Sequence, residues 1–228
     1  RELAALGVTS TADLTTHTMA LYVASKGPKA NPNTVNGLLS AASAACTYAV
    51  EEGWLARHPA WRRVRLRKSP AVRNRPCAYE EMGRLLDHLS TRARQGRWED
   101  RRLCALVWTF ALTALRLNEA LYLKLEDLDL VGPRPSLMVD PRRRLKTEGS
   151  AARVAIPDQL VKVLRGWLPY VGSEWVFPGV RRRGPWTGGS PGYKPIDWLR
   201  RAAAEVGIAK ITWHSLRHAF GTYALEHW

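Results

Sequence analysis

Three separated stretches of the sequence carry side chains that could act on a phosphate group: TALRLNEAL at 113–121, LKTEGSAARVAIP at 145–157 and HSLRHAF at 214–220. Arg116 follows an apolar helical pattern, where a side chain can be held rigidly, and Lys146 lies at a predicted strand end beside a turn. His214 and Arg217 are spaced i and i+3, so they share one face of a helix. A guanidinium group keeps its charge and binds phosphate oxygens through paired hydrogen bonds. The three stretches therefore predict chemistry on a phosphate.

The overall charge predicts a polyanionic partner. The 228 residues include 35 Lys and Arg against 20 Asp and Glu, a formal net charge of +15, and nucleic acid is the commonest polyanion that a basic protein meets. A solubilising surface is the alternative, but residues 57–75 carry basic residues and no acid, whereas solvated surfaces usually mix signs. The expected phosphate contacts are Arg57, Arg62, Arg63, Arg65, Arg67, Lys68, Arg181, Arg182 and Arg183.

Several protein classes are excluded by composition. No run approaches eighteen apolar residues, which argues against a membrane-spanning helix. The three cysteines, Cys46, Cys77 and Cys104, are widely spaced and form no CxxC pair, which argues against a disulfide framework and a structural zinc site. We therefore expect a reducing, cytoplasmic setting close to the nucleoid. The sequence begins at Arg1 with neither an initiator Met nor a signal peptide, so we expect an excised piece of a longer chain.

The apolar periodicity predicts a mainly α protein with a small antiparallel β-sheet. Residues 1–68 read as a helical domain with Thr34 capping its second helix, 69–77 as a basic linker, and 78–228 as a second domain. In the second domain, RRLCALVWTFALTAL is apolar nearly all round and predicts a buried central helix. SLMVD and ARVAIP predict two strands that flank Lys146.

Taken together and in this order, the three stretches resemble the motifs of the tyrosine recombinase (phage-type integrase) family. TALRLNEAL resembles the first arginine motif, with Arg116 as its arginine and Glu119 as the accompanying acid. LKTEGSAARVAIP resembles the hairpin lysine motif, carried by Lys146. HSLRHAF resembles the histidine–arginine motif, carried by His214 and Arg217.

The resemblance covers nearly the whole chain, and what it implies is specific. It implies a SAM-like core-DNA-binding domain followed by most of a catalytic domain, the two closing around duplex DNA as a C-shaped clamp. The intact enzyme would be a site-specific recombinase that cuts and rejoins DNA through a 3′-phosphotyrosine intermediate. It would use no ATP, cofactor or metal, and would act as a homotetramer on paired sites.

The implied roles follow the charge that develops on the phosphate. Arg116 and Arg217 would clamp the non-bridging oxygens, and Lys146 would protonate the leaving 5′-oxygen. His214 would hydrogen-bond the phosphate or assist proton movement, and Glu119 would orient its neighbours. Structural alternatives remain open for three of these residues. In them, Lys146 is a solvated charge and Arg153 competes with it for the place near the phosphate, His214 is a core histidine, and Glu119 is an ordinary partner of a surface residue.

Two features depart from the family pattern. Ala114 stands where the family usually has glycine, and the family's later Gly-His segment and nucleophilic tyrosine do not follow HSLRHAF before Trp228. His218, in contrast, matches the histidine commonly found next to the arginine. The family's nucleophilic tyrosine normally follows HSLRHAF by some tens of residues, so we expect it beyond Trp228 and expect this stretch to bind DNA without cleaving it. Tyr223 falls on the opposite side of the predicted helix from Arg217 and reads as a packed aromatic.

Two other functions fit the same residues. A type IB topoisomerase uses a similar set of cations but relaxes supercoils without exchanging strands between duplexes. A non-catalytic DNA-binding regulator would retain the fold and the basic surface without the nucleophile. The Ala-rich helical N-terminal domain favours the recombinase over the topoisomerase.

Overall fold

A computed structural model describes residues 3–27, 30–59, 64, 77–140, 152–187 and 194–227, with the backbone alone at residue 12 and residues 224–227. The chain divides into two compact units, residues 1–73 and 74–228. Most of the segment 69–77 lies outside the described residues. The predicted bounds of the helical domain, the linker and the second domain therefore stay predictions.

The described residues form eight α-helices and one three-stranded antiparallel sheet, together with short 3₁₀ turns. The helices are α1 Thr16–Ser25, α2 Pro32–Glu51, α3 Tyr79–Arg94, α4 Trp98–Thr113, α5 Leu117–Leu121, α6 Asp158–Trp167, α7 Pro195–Glu205 and α8 Trp213–His227. The strands are β1 Leu128–Asp129, β2 Ser136–Val139 and β3 Ala152–Ala155, in the order β1-β2-β3. The predicted fold class, mainly α with a small antiparallel sheet, is confirmed.

The first unit is built on α1 and α2, whose apolar faces share a small core. Its buried members are Met19, Tyr22, Val35, Leu39 and Cys46. The prediction that Thr34 caps the second helix is wrong. The side chain of Asn31 accepts a hydrogen bond from the Asn33 backbone N–H at 2.9 Å, and Pro32 supplies a first helical residue that needs no N–H partner.

The second unit is organised around α4, which is buried on nearly every side as the apolar run predicts. Helices α3, α6, α7 and α8 all pack against it. Helix α3 contributes a single apolar face to this core, formed by Met82, Leu85, Leu86 and Leu89. The three cysteines are free and buried.

The sheet contains the two predicted strands and one that the sequence did not reveal. Strands β2 and β3 pair with Leu137 opposite Val154 and Met138 opposite Arg153. Strand β1 adds only two residues, with Leu128 opposite Leu137, which is too short to show an alternating pattern. The connection between β2 and β3, which carries Lys146, lies outside the described residues.

A buried arginine ties α4 to the segment that follows α6. Arg102 is fully buried, donates from Nη1 to the Pro178 carbonyl at 2.6 Å, and stacks between two indole rings, 3.6 Å from the Trp186 centroid and 4.5 Å from that of Trp98. Burial lowers its pKa to about 9, although the charge of Glu99 acts in the opposite direction. Arg102 is therefore part of the core and unavailable to a polyanion.

A charge network joins α3, α4 and α7 beside this core. Arg92 bridges Glu205 at 2.8 Å and the buried Asp100 at 2.6 Å, and His88 contacts Glu205 at 2.7 Å. Burial raises the pKa of Glu205, but hydrogen bonds and charge from His88 and Arg92 outweigh it and leave that pKa below the ordinary value of 4.5. The network thus favours the ionised carboxylate in the folded state.

Helix α4 ends in a left-handed residue that redirects the chain. Ala114 has φ 50° and ψ 27°, and its N–H donates to the Phe110 carbonyl at 3.2 Å. The left-handed region costs a residue with a Cβ about 1–2 kcal/mol, which glycine avoids. The chain then turns through the buried Leu115 into α5.

We predict that Ala114→Gly stabilises the protein by up to about 1 kcal/mol, since it removes Cβ strain that exceeds the extra flexibility of glycine in the unfolded chain. Chemical denaturation of the two proteins measures the difference. Ala204→Gly makes the same change at an exposed position inside α7 and should destabilise by about 1 kcal/mol. Equal destabilisation by both variants would contradict the strain at Ala114.

We predict that Glu205→Gln lowers the free energy of unfolding by about 1 kcal/mol at neutral pH, a modest value because the Glu205 side chain is 47% exposed. A carboxylate with a lowered folded-state pKa stabilises above its unfolded pKa and loses that effect as the pH falls through the folded-state value. The gap between the two proteins should therefore close below about pH 4. Asp87→Asn, on the exposed side of α3, is the control and should leave the unfolding curve unchanged. If the stability difference between wild type and Glu205→Gln persisted at low pH, ionisation of Glu205 would not be its cause.

Candidate phosphate-binding site

Arg116 is held at the start of α5 by a buried carboxylate. Glu119 Oε2 accepts the Arg116 backbone N–H at 2.7 Å, and Oε1 accepts Nη1 of the Arg116 guanidinium at the same distance. The Glu119 side chain is only 7% exposed, whereas that of Arg116 is 50% exposed. The acid therefore caps α5 and orients the guanidinium, while the guanidinium remains accessible to a ligand.

The first turn of α8 is fixed by a reciprocal cap. Ser215 donates its backbone N–H to the Thr212 hydroxyl at 3.0 Å, and Thr212 donates its N–H to the Ser215 hydroxyl at 2.9 Å. The inward face of α8 buries Trp213, Leu216 and Ala219. Spacing on the helix then turns His214, Arg217 and His218 away from that core, and both histidines are exposed.

Arg116 and the His214–Arg217 face lie at the same end of α4. The indole of Trp213 contacts the ring of Phe110 at a centroid distance of 4.7 Å. Phe110 is one turn before Ala114, where α4 ends and the chain leads into Arg116. Helix α8 thus packs on α4 near the end that leads into Arg116.

The two histidines of α8 contact each other. Nε2 of His214 lies 2.7 Å from Nε2 of His218, and the ring planes are nearly perpendicular at 80°. One nitrogen must donate and the other accept at this distance, so the pair shares a proton between the two rings. The contact orients both rings on the exposed face of α8.

Lys146, predicted to complete this set, lies outside the described residues. Its flanking strands place Arg153 on β3, where the guanidinium Nη1 donates to the Ser136 hydroxyl at 3.3 Å. Arg153 therefore has a partner within the sheet, and the role of Lys146 stays a prediction.

Tyr223 lies away from the two α8 histidines, against the start of α3. Its ring stacks on that of Tyr79 with centroids 4.6 Å apart and planes 7° from parallel. The pKa of Tyr79 is raised, mainly by its hydrogen bond with Tyr223 and to a smaller extent by the charge of Tyr223 and by burial. This contact agrees with the interpretation of Tyr223 as a packed aromatic.

The predicted DNA-contacting residues divide between described and undescribed segments. Arg57 is exposed in the first unit, whereas Arg62, Arg63, Arg65, Arg67 and Lys68 lie outside the described residues. Arg181, Arg182 and Arg183 are exposed in the second unit. Among these three, Arg182 also packs inward, with its guanidinium 5.0 Å from the centroid of the Trp98 ring. Its Nη1 packs so closely on Gly172 that a Cβ at that position would lie only 2.7 Å away.

Two structural roles at this site escaped the sequence. The Trp213–Phe110 contact needs tertiary information, since Trp213 reads only as one more apolar residue before HSLRH. The His214–His218 contact could have been inferred, because residues at i and i+4 are neighbours on a helix surface.

The described residues show neither a metal cluster nor a membrane span. Among them, no group of three or more His, Cys, Asp and Glu side chains is arranged to hold a metal ion. No helix within the described ranges combines the length and the apolar character needed to cross a bilayer.

Several solved DNA-bound recombinases share this fold. The XerH site-specific recombinase bound to its difH substrate superposes with a TM-score of 0.65 at 17% identity, over 95% of this chain and 61% of that one. A lambda integrase dimer bound to a COC′ core site gives 0.63 at 19% identity, over 92% of this chain and 73% of that one. The Tn1549 transposon integrase with transposon right end DNA gives 0.69 at 15% identity, over 95% and 74%.

The chain is shorter than the structures that it resembles, spanning 61% of the XerH chain. A search of curated proteins finds no significant sequence relative. The phage integrase family model nevertheless matches residues 78–227, which include Arg116, Glu119, Lys146, His214 and Arg217. This match spans most of the chain, and together with the shared fold it establishes that the chain belongs to the phage integrase family of tyrosine recombinases.

Proposed function

We propose that this chain contains the DNA-binding unit and most of the strand-cleaving unit of a site-specific recombinase. The intact enzyme cuts and rejoins DNA through a 3′-phosphotyrosine intermediate. The observation that carries the proposal is an accessible Arg116, oriented by Glu119, which follows the end of α4 near which Trp213 of α8 packs on Phe110. Family membership and the DNA-bound recombinases of the same fold support it.

The chemistry assigned to these residues is stabilisation of charge on one backbone phosphate. Attack on a phosphodiester concentrates negative charge on the non-bridging oxygens of the transition state. Arg116 and Arg217 present guanidinium groups, which stay charged and bind such oxygens in pairs. Glu119 fixes Arg116 before the substrate arrives, so no reorganisation is needed during the reaction.

The proton balance of the reaction involves the remaining residues. The attacking tyrosine of the intact enzyme loses a proton, and the leaving 5′-oxygen gains one. Lys146 is the proposed donor to the leaving oxygen. His214 is the proposed hydrogen-bond donor to the phosphate, and its Nε2 exchanges the contact with His218 for one with a phosphate oxygen when DNA binds.

The partner is double-stranded DNA, and the active assembly is a homotetramer on paired sites. Another lambda integrase structure is a tetramer bound to a Holliday junction. The net charge of +15 supports extensive contact with the phosphate backbone. Action on chromosomal DNA is consistent with a location at the nucleoid.

We predict that Arg217→Gln, in the protein expressed from its complete gene, lowers the rate of covalent adduct formation on a nicked suicide substrate by about 100- to 1,000-fold. DNA affinity should change far less, because many other cations contact the backbone. Arg200→Gln on the exposed face of α7 is the matched control and should react at the wild-type rate.

The outcomes of this assay separate the alternatives. Unchanged adduct formation by Arg217→Gln would overturn the assignment of the clamp. Relaxation of supercoiled plasmid without recombinant products by the wild-type protein would indicate a type IB topoisomerase. Binding without any adduct would indicate a non-catalytic regulator.

We predict that replacing Arg62, Arg63, Arg65, Arg67 and Lys68 with alanine reduces the slope of log affinity against log salt. Each lost phosphate contact lowers the slope by about 0.9, whatever the DNA sequence. Fluorescence anisotropy across a series of salt concentrations measures the slope. The double variant of the exposed Arg84 and Arg200 to alanine removes two charges elsewhere and is the control. An equal change of slope per removed charge in the two proteins would contradict a specific role for the basic segment.

A further inference from the structure

The exposed histidine pair of α8 has the geometry of a two-ligand metal site. We propose that His214 and His218 together bind one divalent transition-metal ion of the class that prefers imidazole, such as Zn²⁺, Ni²⁺ or Cu²⁺. The two Nε2 atoms face each other at 2.7 Å, and both side chains are open to solvent. The H-x-x-x-H spacing on one helix face is also that by which helical zinc sites supply two of their ligands.

The distance between the nitrogens requires only a small adjustment. A metal ion bound at about 2.0–2.1 Å from each nitrogen separates them by about 2.9 Å at a right angle and about 3.4 Å at a tetrahedral angle. The imidazoles must therefore move apart by a few tenths of an ångström, which small χ rotations of exposed side chains provide. When the metal takes both Nε2 lone pairs, the ring that donated its Nε2–H changes tautomer and carries its proton on Nδ1 instead.

The surroundings of the pair determine which ions can bind. Arg217 precedes His218 directly, and the pair lies in the first turns of α8, where the helix dipole opposes a cation. Among the described residues no third His, Cys, Asp or Glu completes the site, so water fills the other positions. Hard ions such as Mg²⁺ and Ca²⁺ prefer oxygen ligands and find none here, whereas affinity for imidazole nitrogen rises from Mn²⁺ to Cu²⁺.

Metal binding also has a consequence for the reaction. Both Nε2 atoms belong to the face to which the scissile phosphate is assigned, and metal occupancy removes them from hydrogen bonding. Zn²⁺ should therefore inhibit strand cleavage. This consequence rests on the proposed function, whereas the binding of the metal does not.

Isothermal titration calorimetry of the untagged chain with Ni²⁺ and Zn²⁺ near neutral pH tests the site. We expect one ion to bind to the wild type at this site, and His214→Gln and His218→Gln each to weaken binding at least about tenfold, since a second tethered ligand adds effective concentration. The double variant should lose the weak binding that a single remaining imidazole provides, and Mg²⁺ should not compete. His17→Gln removes a lone exposed histidine of α1 and should leave the affinity unchanged.

Arg217→Gln gives a readout that a merely structural effect would not produce. Removal of the neighbouring positive charge should strengthen metal binding severalfold, whereas loss of helix structure would weaken it. The proposal would be overturned if the wild type and both single histidine variants bound the metal with equal affinity. It would also be overturned if Arg217→Gln bound the metal more weakly while its circular dichroism spectrum was unchanged. If metal binds as expected but strand cleavage is unaffected, the site stands and the assignment of His214 to the phosphate fails.

Discussion

The packing of α8 on the C-terminal end of α4 is the constraint on which the candidate site depends. Trp213 contacts Phe110, and Leu216 is fully buried one turn further along α8. Once this face is buried, the helical period fixes the direction of His214, Arg217 and His218. The same end of α4 leads through Ala114 into Arg116, so one packing contact governs both halves of the cation set.

Glu119 resolves an electrostatic difficulty that this arrangement creates. In the proposed site, two guanidinium groups directed toward one phosphate repel each other in the absence of a ligand, and the net charge of +15 adds to that repulsion. A carboxylate that is 7% exposed acts in a less polar environment than a surface acid, so its attraction for Arg116 is less screened. Glu119 also accepts the backbone N–H of Arg116, the N-cap residue of α5. The same carboxylate therefore orients the arginine side chain and stabilises the start of the helix.

The sequence predicted the helices and strands that are marked by a pattern of neighbouring residues. It missed those that depend on contacts between residues distant in the sequence. The long apolar run indicated α4, and two short strand-like segments that flank a basic loop indicated β2 and β3. Strand β1 is two residues long, too short for any pattern, and it exists because Leu128 finds Leu137 as a partner. The start of α2 was misplaced because Asn31 and Thr34 are both good capping residues, and the proline between them decided in favour of the earlier position.

The net charge alone overstates the number of positive charges that can contact a polyanion. Arg102 counts toward the +15, yet it is fully buried between Trp98 and Trp186, and burial lowers its pKa to about 9. Arg182 packs against Trp98 as well, although it remains exposed to solvent. Arg217 belongs to the same residue type but is half-buried, next to the exposed His218 on α8. The environment of each arginine, set by the packing of α4, therefore separates cations that hold the fold together from those that can bind a phosphate.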